Sequence, residues 1–442
     1  MNMSKNIIVA GLGHGGIAVA AILSKNGYNV TVYEKNSEGT LGYDWTDMFD
    51  PKALEFAEIP MPPADKFKYK ENMTFCGPCS KKVLTQYIPK HKTEIIMERK
   101  EIYNHFIDNA VKCGVNIVYD CEVLGPVLIG DRVVGIKTSK GEFLGDLVID
   151  SCGMNSPVRR NLPKQFGIQR EIKKEQKISI YRAFYNKCSD DEIDGKFKII
   201  LYACGKPGVS WVASHDDYTD VLIGRFEEFG MDEVERATNF LRRTNSRLGT
   251  EKIRGGQFVD IPVRHTLSVM VANGYAAIGD SAFMPVPLIG SGIANALRAS
   301  RILADTIIAD KSEFYSAETL WRYQVEYYYR IGSGLSPLEC VKSALLKLRT
   351  QDVDYCFESE IITQDDMTIA SNFTNIKDLF EIRKMDIIQK IKGIKNNKRL
   401  VIVAFGAVAK MSKVLVVSAQ IPKKWDKTKV LKWAKQYDKM FE

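Results

Sequence analysis

The stretch from Lys5 to Lys35 constrains this chain more than any other. Asn6-Ile7-Ile8-Val9-Ala10 is a short apolar run rich in β-branched residues and reads as a buried strand. It meets Gly11-Leu12-Gly13-His14-Gly15-Gly16, the spacing G-x-G-x-x-G, and then an apolar helical segment from Ile17 to Asn26. A second strand, Asn29-Val30-Thr31-Val32-Tyr33, delivers Glu34 at its carboxyl end, with Lys35 beside it. Gly11 suits a tight turn, Gly13 lets the backbone approach a pyrophosphate, and Gly16 lets helix and strand pack closely. The helix amino terminus offers unpaired N–H groups and the positive end of its dipole to phosphates. Glu34 lies about twenty residues past the glycines, where a carboxylate accepts hydrogen bonds from a ribose. It would repel a 2′-phosphate, so an adenosine diphosphate moiety with a free 2′-hydroxyl is favoured. The bland alternative, a tight βα turn that binds nothing, does not account for an acid in register with the glycines.

At 442 residues the chain can bury a substantial core, and it is expected to divide into lobes. A hydrophobic content of 45% with 26% charged residues is that of a soluble globular protein. Nine cysteines are scattered along it, an odd number mostly in apolar surroundings. They read as reduced thiols in a cytoplasmic protein. The first apolar stretch is expected to be the nucleotide fold itself and not a signal peptide. The net charge of +8 is concentrated at one end: from Glu381 onward, 16 Lys or Arg face 5 acids, leaving 46 basic against 49 acidic residues elsewhere. Any argument from charge belongs to that tail.

The remaining pattern suggests a mixed α/β protein. After Glu34 a loop runs through Tyr43-Asp44-Trp45-Thr46-Asp47, and Pro60 to Pro63 forms a stiff connector. Arg99 opens a helix ending at Cys113-Gly114; Val115–Tyr119 is a strand, and Val123–Leu128 with Val133–Thr138 forms a small antiparallel pair. Asp146–Asp150 is a buried strand returning to the nucleotide sheet. From Ile178 the runs Ile178–Tyr185, Phe197–Cys204, Val209–Ala213 and Val221–Phe226 suggest an antiparallel sheet, with a helix from Asp232 to Leu248. At Gly274 the chain returns to the first pattern. These boundaries predict a discontinuous nucleotide domain (1–170 and 265–310), an antiparallel-sheet substrate domain (171–264, with a contribution from about 60–95) and a helical region with a basic tail (311–442). Residues from about Val341 to Gln389 carry no motif that points to a role.

Three separated segments then fit one picture: Gly11 to Glu34; Asp146-Leu147-Val148-Ile149-Asp150-Ser151-Cys152-Gly153 to Arg159; and Gly279-Asp280-Ser281-Ala282 with Pro285, Pro287, Gly290, Gly292 and Ala294-Asn295-Ala296. Together they resemble the three FAD fingerprints of the group that includes the aromatic hydroxylases and the geranylgeranyl reductases. The resemblance covers most of residues 1–310 and implies a Rossmann-like FAD-binding domain. Asp280 would bind flavin ribityl hydroxyls, and the helix following Pro287 to Gly292 would turn its positive end toward the flavin pyrimidine. The resemblance further places Arg99 near the flavin and Val123 as a backbone partner for adenine. A solvated cap is the alternative for Arg99, and a helix N-cap the alternative for Asp280.

Pro207-Gly208-Val209-Ser210-Trp211-Val212 is similar to a geranylgeranyl reductase segment, although Val209 stands where that family has Tyr. The third motif carries Phe283 and Met284 where hydroxylases have His. The resemblance therefore implies reduction of C=C bonds in a hydrophobic, isoprenoid or lipid-like substrate by hydride from flavin N5. An FAD monooxygenase using NAD(P)H and oxygen is the enzyme alternative. No second G-x-G-x-x-G is present, so electrons are expected from transiently bound NAD(P)H or a ferredoxin-like protein. The proton donor is open; Asp44, Trp45 and Trp211 are the catalytic candidates, and for each an ordinary packing or loop role is equally consistent.

Cys76-Gly77-Pro78-Cys79 raises a redox-sensing alternative, but it lies in what reads as a hairpin turn, and no second C-x-x-C completes a metal site. Leu400–Gly406 is continuously apolar, with Lys410 and Lys413 expected to interrupt it short of the ~20 residues a membrane span needs. Val430, Trp433, Ala434, Tyr437, Met440 and Phe441 then recur at helical spacing among lysines. This helix is expected to lie either on a membrane, at its cytoplasmic face, or on the protein's own body. Nucleic acid is not an expected partner, since no binding module accompanies the lysines.

Overall fold

The computed structural model describes residues 5–88, 93–191, 195–312, 314–370 and 384–442. Its first sheet has six strands in the order Val271–Ala272, Tyr275–Ala277, Leu147–Asp150, Asn6–Ala10, Asn29–Tyr33 and Asn116–Val118. All neighbours run parallel except the first two. The register sets Val9 between Ile149 and Val32, and all three are fully buried. A parallel strand covered on both faces needs a continuous apolar run, which Ile7–Ala10 and Leu147–Ile149 supply. Helices His14–Lys25 and Ile293–Ala309 pack against each other on this sheet. The expected small antiparallel pair is present as Val123–Ile129 and Arg132–Thr138, with a third strand, Gly141–Leu144, beside it.

The second sheet has seven strands, in the order Leu248–Pro262, Lys177–Lys187, Tyr218–Arg225, Gly208–Ser214, Phe197–Leu201, Met73–Cys76 and Leu84–Gln86. It is antiparallel except where Met73–Cys76 runs parallel to Phe197–Leu201. The hairpin containing Cys76 thus enters this sheet from far upstream in the chain. One expectation needs correcting: the helix ends at Thr244, and Leu248 begins a 15-residue strand. That strand lies at the sheet edge, is polar and largely exposed, and is bulged at Gly256, whose φ is +89° beside Gly255 at +74°. An edge strand that is mostly polar and bulged over residues 248–257, with only Val259 and Ile261 beyond them packed on the sheet's apolar cluster, gives too short a period-2 signal to read.

The carboxyl-terminal region is helical, through Ala317–Tyr327, Ser333–Leu345, Thr350–Glu358, Gln364–Ala370, Lys384–Lys395, Lys398–Ala419 and Lys427–Asp438. Residues 371–383, within the stretch without a motif, lie outside the described residues. One open expectation is decided here and one is corrected. The last helix buries Val430, Trp433, Ala434 and Tyr437 against the protein itself. Trp433 Nε1 donates to the Val417 carbonyl at 2.8 Å, and the Tyr437 and Ser336 hydroxyls are 2.5 Å apart. Its apolar face is therefore not available to a membrane. Lys410 and Lys413, conversely, do not cut the apolar segment short, because Val414-Leu415-Val416-Val417 resumes it beyond them within the same helix. Lys398–Ala419 is one 22-residue helix, an 18-residue window of which has a mean hydropathy of 2.1, so that it is long and apolar enough to cross a membrane by length and composition.

Candidate active site

The glycines of the first fingerprint make room for the other two. Gly11 adopts φ +80°, and a Cβ there would lie 2.8 Å from the Ser151 carbonyl. A Cβ on Gly13 would meet Ser151 Oγ at 2.5 Å, and one on Gly16 would meet Ser151 Cβ at 2.5 Å. The Gly16 N–H donates to Ser151 Oγ at 3.2 Å. A Cβ on Gly15 would press on Ile278 Cγ1 at 2.9 Å and Ala296 Cβ at 3.2 Å, in the third segment. Gly13 thus serves protein packing as well as backbone exposure. The helix it caps has no side-chain cap and no acid in its first turn, which leaves the His14 and Gly15 N–H groups open to an anion.

Glu34 is buried beside this loop. Its Oε2 accepts the Leu12 N–H at 2.9 Å, and its Oε1 accepts from Asn36 N at 2.9 Å and Nδ2 at 2.6 Å. The Glu34 carbonyl accepts the Cys121 N–H at 2.8 Å, which brings the segment leading to buried Val123 alongside. Lys35 is exposed at the rim. Burial, reinforced by Asp150 and Glu34, pushes the Cys152 thiol well up.

Asp150 locks the second and third fingerprints together. Its carboxylate accepts from Ser156 Oγ at 2.5 Å, Tyr275 Oη at 2.8 Å, Ser281 Oγ at 3.0 Å and the Cys152 N–H at 3.1 Å. Gly153, at φ +84° with open space where a Cβ would stand, donates its N–H to Ser281 Oγ at 2.9 Å. Beyond Asp280, Pro287 is buried, and Gly290 adopts φ +71° in a turn closed by its N–H to the Val286 carbonyl at 2.8 Å. Gly292, where a Cβ would strike Pro285 at 2.9 Å, caps helix Ile293–Ala309 without a side-chain hydrogen bond. Asp280 is not that cap: its carboxylate has no hydrogen-bond donor among the described residues. Burial raises its pKa, against the opposing charge of Arg99.

Arg99 is the first residue of its helix but not a solvated cap. Its Nη1 donates to Asp47 Oδ2 at 2.8 Å and its guanidinium lies 4.9 Å from the Tyr43 ring, while Nε is buried without a partner. Next to it lies His14, from the glycine loop, which sequence reasoning passed over as an ordinary x position. Its ring stacks on Tyr103 at 4.6 Å and its Nε2 is likewise buried and unpartnered. Burial, then Arg99, holds its pKa well below the usual histidine value, so it is neutral.

The opposite wall is the apolar face of the seven-stranded sheet. Trp45, Ile178, Ile180, Phe184, Leu222 and Val263 form one buried cluster, with Trp211 and Ile261 packed on its margin. A Cβ on Gly290 would lie 3.2 Å from Ile261 Cγ2, and the Trp45 carbonyl accepts the Arg99 N–H at 2.9 Å, so this wall abuts the fingerprint residues. Both indole N–H groups, of Trp45 and Trp211, are buried without partners. Between them sequence reasoning missed Arg182. Its Nη2 is 2.5 Å from Asp220 Oδ2 and donates to Thr46 Oγ1 at 2.7 Å, and its guanidinium lies 5.4 Å from the Trp211 ring. An alternating strand gives no sign that one of its inward positions is an arginine whose partner stands on the neighbouring strand, 38 residues on in the chain. Asp44 is exposed and clasped: it accepts from Arg254 Nη1 and the Gly255 N–H, each at 2.8 Å. Burial tends to raise its pKa, but those bonds outweigh it and hold the carboxyl below its usual range, unsuited to donating a proton at neutral pH. Phe283, where hydroxylases carry His, is held at φ +55° between the guanidiniums of Arg159 and Arg264, 4.4 and 4.5 Å from its ring.

Cys76 and Cys79 lie apart from this site, at the far side of the second sheet. Cys76 is buried with its thiol pushed up by that burial, the reverse of what thiol exchange requires. A surface groove beside Lys70, Thr74, Thr85 and Lys196 lies along the same edge and contains none of the fingerprint residues.

No protein-family model matches the chain. A digeranylgeranylglycerophospholipid reductase of Haloferax volcanii is 21% identical over 419 residues, covering 87% of this chain and 96% of the relative. Among solved structures, a geranylgeranyl bacteriochlorophyll reductase-like protein of Thermoplasma acidophilum superposes with a TM-score of 0.68 at 18% identity, over 90% of this chain and 99% of its own. A p-nitrophenol 4-monooxygenase of Pseudomonas putida gives 0.61 at 16% identity, over 85% and 99%. The resemblance to the geranylgeranyl reductase and aromatic hydroxylase group therefore extends through sequence and fold, and the mixed α/β fold is the one these flavoenzymes share.

Proposed function

We propose that the chain is an FAD-dependent reductase of C=C bonds in a hydrophobic, isoprenoid- or lipid-like substrate. The observation that carries this reading is the pairing of the two walls. One offers uncapped helix termini, a carboxylate and two buried nitrogens that no protein group satisfies; the other is a dry apolar surface meeting it at Gly290 and Trp45. The residues present fit FAD. Glu34 would hold the adenosine ribose, with Val123 beside the adenine. The amino terminus of His14–Lys25 would hold the pyrophosphate, and Asp280 the ribityl chain. Arg99, His14 and the amino terminus of Ile293–Ala309 complete the wall, and the latter favours negative charge. Bound there, FAD supplies hydride chemistry at its N5.

The chain's own residues do the rest. Trp45, Ile178, Phe184 and Trp211 exclude water and hold an apolar chain. The Arg182–Asp220 pair satisfies itself and fixes the loop carrying Trp45 through Thr46. With Asp44 committed to Arg254 and Gly255, the one proton that must follow the hydride, at the other carbon, would come from water or another acid. Electrons reach the site from NAD(P)H or a ferredoxin-like protein. The fold is equally that of monooxygenases, but Phe283 between two arginines in place of His favours the reductase.

The test begins with the visible spectrum of the purified chain, then anaerobic reduction and admission of acceptors. Bands near ~370 and ~450 nm are expected of a bound flavin. Reoxidation that is slow in air, unaffected by aromatic ligands and fast with polyprenyl acceptors supports the reductase. Rapid oxygen consumption stimulated by a small aromatic would assign an oxygenase. A colourless protein that FAD does not reconstitute would overturn both.

A further inference from the structure

Helix Lys398–Ala419 has two apolar faces, and only one is covered. Leu400, Val414, Val417 and Ser418 are buried, the helix lying along Ser333–Leu345. On the other side Ile402, Phe405, Val408 and Val416 are 74, 72, 61 and 58% exposed, with Gly406 and Ala409 between them. Three large apolar side chains open to water within two turns is more than a monomer surface ordinarily tolerates.

The charge around this face is one-sided. From Ile387 to Trp425 the sequence contains no acidic residue. Lys395 and Lys398 stand at the amino-terminal end of the helix, Lys410 and Lys413 along its second half, and Lys423 and Lys424 past its end. None of these six forms an ion pair among the described residues, whereas Arg399 reaches Asp352 at 3.3 Å.

We propose that this face docks in the plane of an anionic lipid bilayer, with Ile402, Phe405, Val408 and Val416 in the headgroup–acyl boundary and the lysines on lipid phosphates. The proposal rests on the lipid-substrate reading and specifies the surface from which that substrate would be taken. Composition alone would let the helix span, but its inner face is tied down: Leu400 packs with Tyr202 and Phe357, and the Val417 carbonyl accepts the Trp433 indole N–H. A spanning helix would have to surrender these contacts, whereas an in-plane helix keeps them. The helix beneath it leads to the site: Leu335 and Leu338 of Ser333–Leu345 pack on Val286 and Leu288 of the third fingerprint.

The test is flotation of the flavin-loaded full chain with phosphatidylcholine vesicles, with and without phosphatidylglycerol. The wild type is expected to float with the anionic vesicles at least about tenfold better than with the neutral ones, and to be released by high salt or alkaline carbonate. The double variant Ile402→Glu/Phe405→Glu should lose flotation by about tenfold or more, with melting temperature, flavin spectrum and turnover of a detergent-dispersed isoprenoid unchanged. A wild type that fails to float, or a variant that floats as well, overturns the proposal. So does resistance to carbonate, which would mean a span, or a variant that only turns a dimer into a monomer, which would mean a second copy covers the face. Turnover of the dispersed isoprenoid by the wild type tests the reductase reading independently of vesicles.

Discussion

The nucleotide wall and the substrate wall hold buried charge in different ways. On the substrate wall, Arg182 and Asp220 are buried together, and Thr46 takes the guanidinium's remaining reach. On the nucleotide wall, the half-buried carboxylate of Asp280 and the buried nitrogens Arg99 Nε and His14 Nε2 have no hydrogen-bond partner among the described residues. A buried polar group without a partner costs roughly 1–3 kcal/mol, so the Arg182–Asp220 pair is complete as it stands, whereas Arg99 Nε and His14 Nε2, like the Trp45 and Trp211 indole N–H groups, are left for something bound to satisfy. The difference separates residues that make the fold from residues that make the site, and each variant below should fall on one side of it.

The largest effect is expected at Gly16. A Cβ there would lie 2.5 Å from Ser151 Cβ and 3.0 Å from Val9 Cγ1, in the parallel sheet's own core. Gly16→Val should give a protein that neither retains flavin absorbance nor melts cooperatively, because backbone has to move on both sides of the turn. A yellow, stable variant would show that the fingerprint loop yields more than rigid packing allows.

How much of this was legible depends on how local each signal is. The turn at Gly11, the acid at Glu34 and the helix following Gly292 are consequences of short segments, and the sequence pattern locates them. Asp280 and Arg99 could be named only through a family resemblance, since nothing in their immediate neighbours marks them as lying within electrostatic reach of each other. His14 and Arg182 were missed for the same reason: their roles depend on Tyr103 and Asp220, 89 and 38 residues away in the chain. Strand Leu248–Pro262 was hidden because its polar residues and two left-handed glycines suit a bulged edge, on which Val259 and Ile261 alone make too short an apolar alternation to read. Of the two carboxyl-terminal helices, the last took one of the two readings left open for it, on the protein's own body, while the apolar run before it extends past the lysines expected to end it; apolar spacing says that a face is covered but not by what.

Next in size is Arg182→Met. Removing one partner leaves Asp220 buried and uncompensated, a loss of about 3–5 kcal/mol in denaturant unfolding. The loss should be the same with and without flavin. Arg182→Met combined with Asp220→Leu should recover most of it, because apolar replacement of both partners removes the stranded charge. A loss confined to the flavin-loaded form would move Arg182 from the fold to the site.

Arg99→Lys should do the reverse. The ammonium keeps its charge near Asp47 but cannot present a second donor in the fixed geometry of a guanidinium. Flavin dissociation, followed by fluorescence, is expected to rise by roughly 10- to 100-fold, the equivalent of about 1.5–3 kcal/mol for a hydrogen bond to a charged group. The melting temperature of the flavin-free protein should hardly change. Equal destabilisation of both forms would mean that Arg99 serves only the loop carrying Asp47.

The smallest effect is expected where the sequence was most suggestive. The C-x-x-C spacing of Cys76 and Cys79 fits a redox pair, and if the chain were a sensor, Cys76→Ser would abolish its response. The structure sets Cys76 inside the second sheet, its strand paired to Phe197–Leu201 and its Sγ 3.9 Å from the Ile199 carbonyl. Burial pushes the thiol up, so little thiolate forms at neutral pH, and thiolate is the form that attacks. Cys79 is exposed, but its N–H is bound to Asp354 Oδ1 at 3.0 Å, which fixes the turn without activating the sulfur. Cys76→Ser and Cys79→Ser should each leave flavin content, reduction and turnover within a factor of about two of the wild type, with Cys76→Ser costing some stability for a hydroxyl placed in an apolar pocket. A variant that stays folded and flavin-loaded but loses its turnover would place a thiol on the path of electrons and join the hairpin to the site.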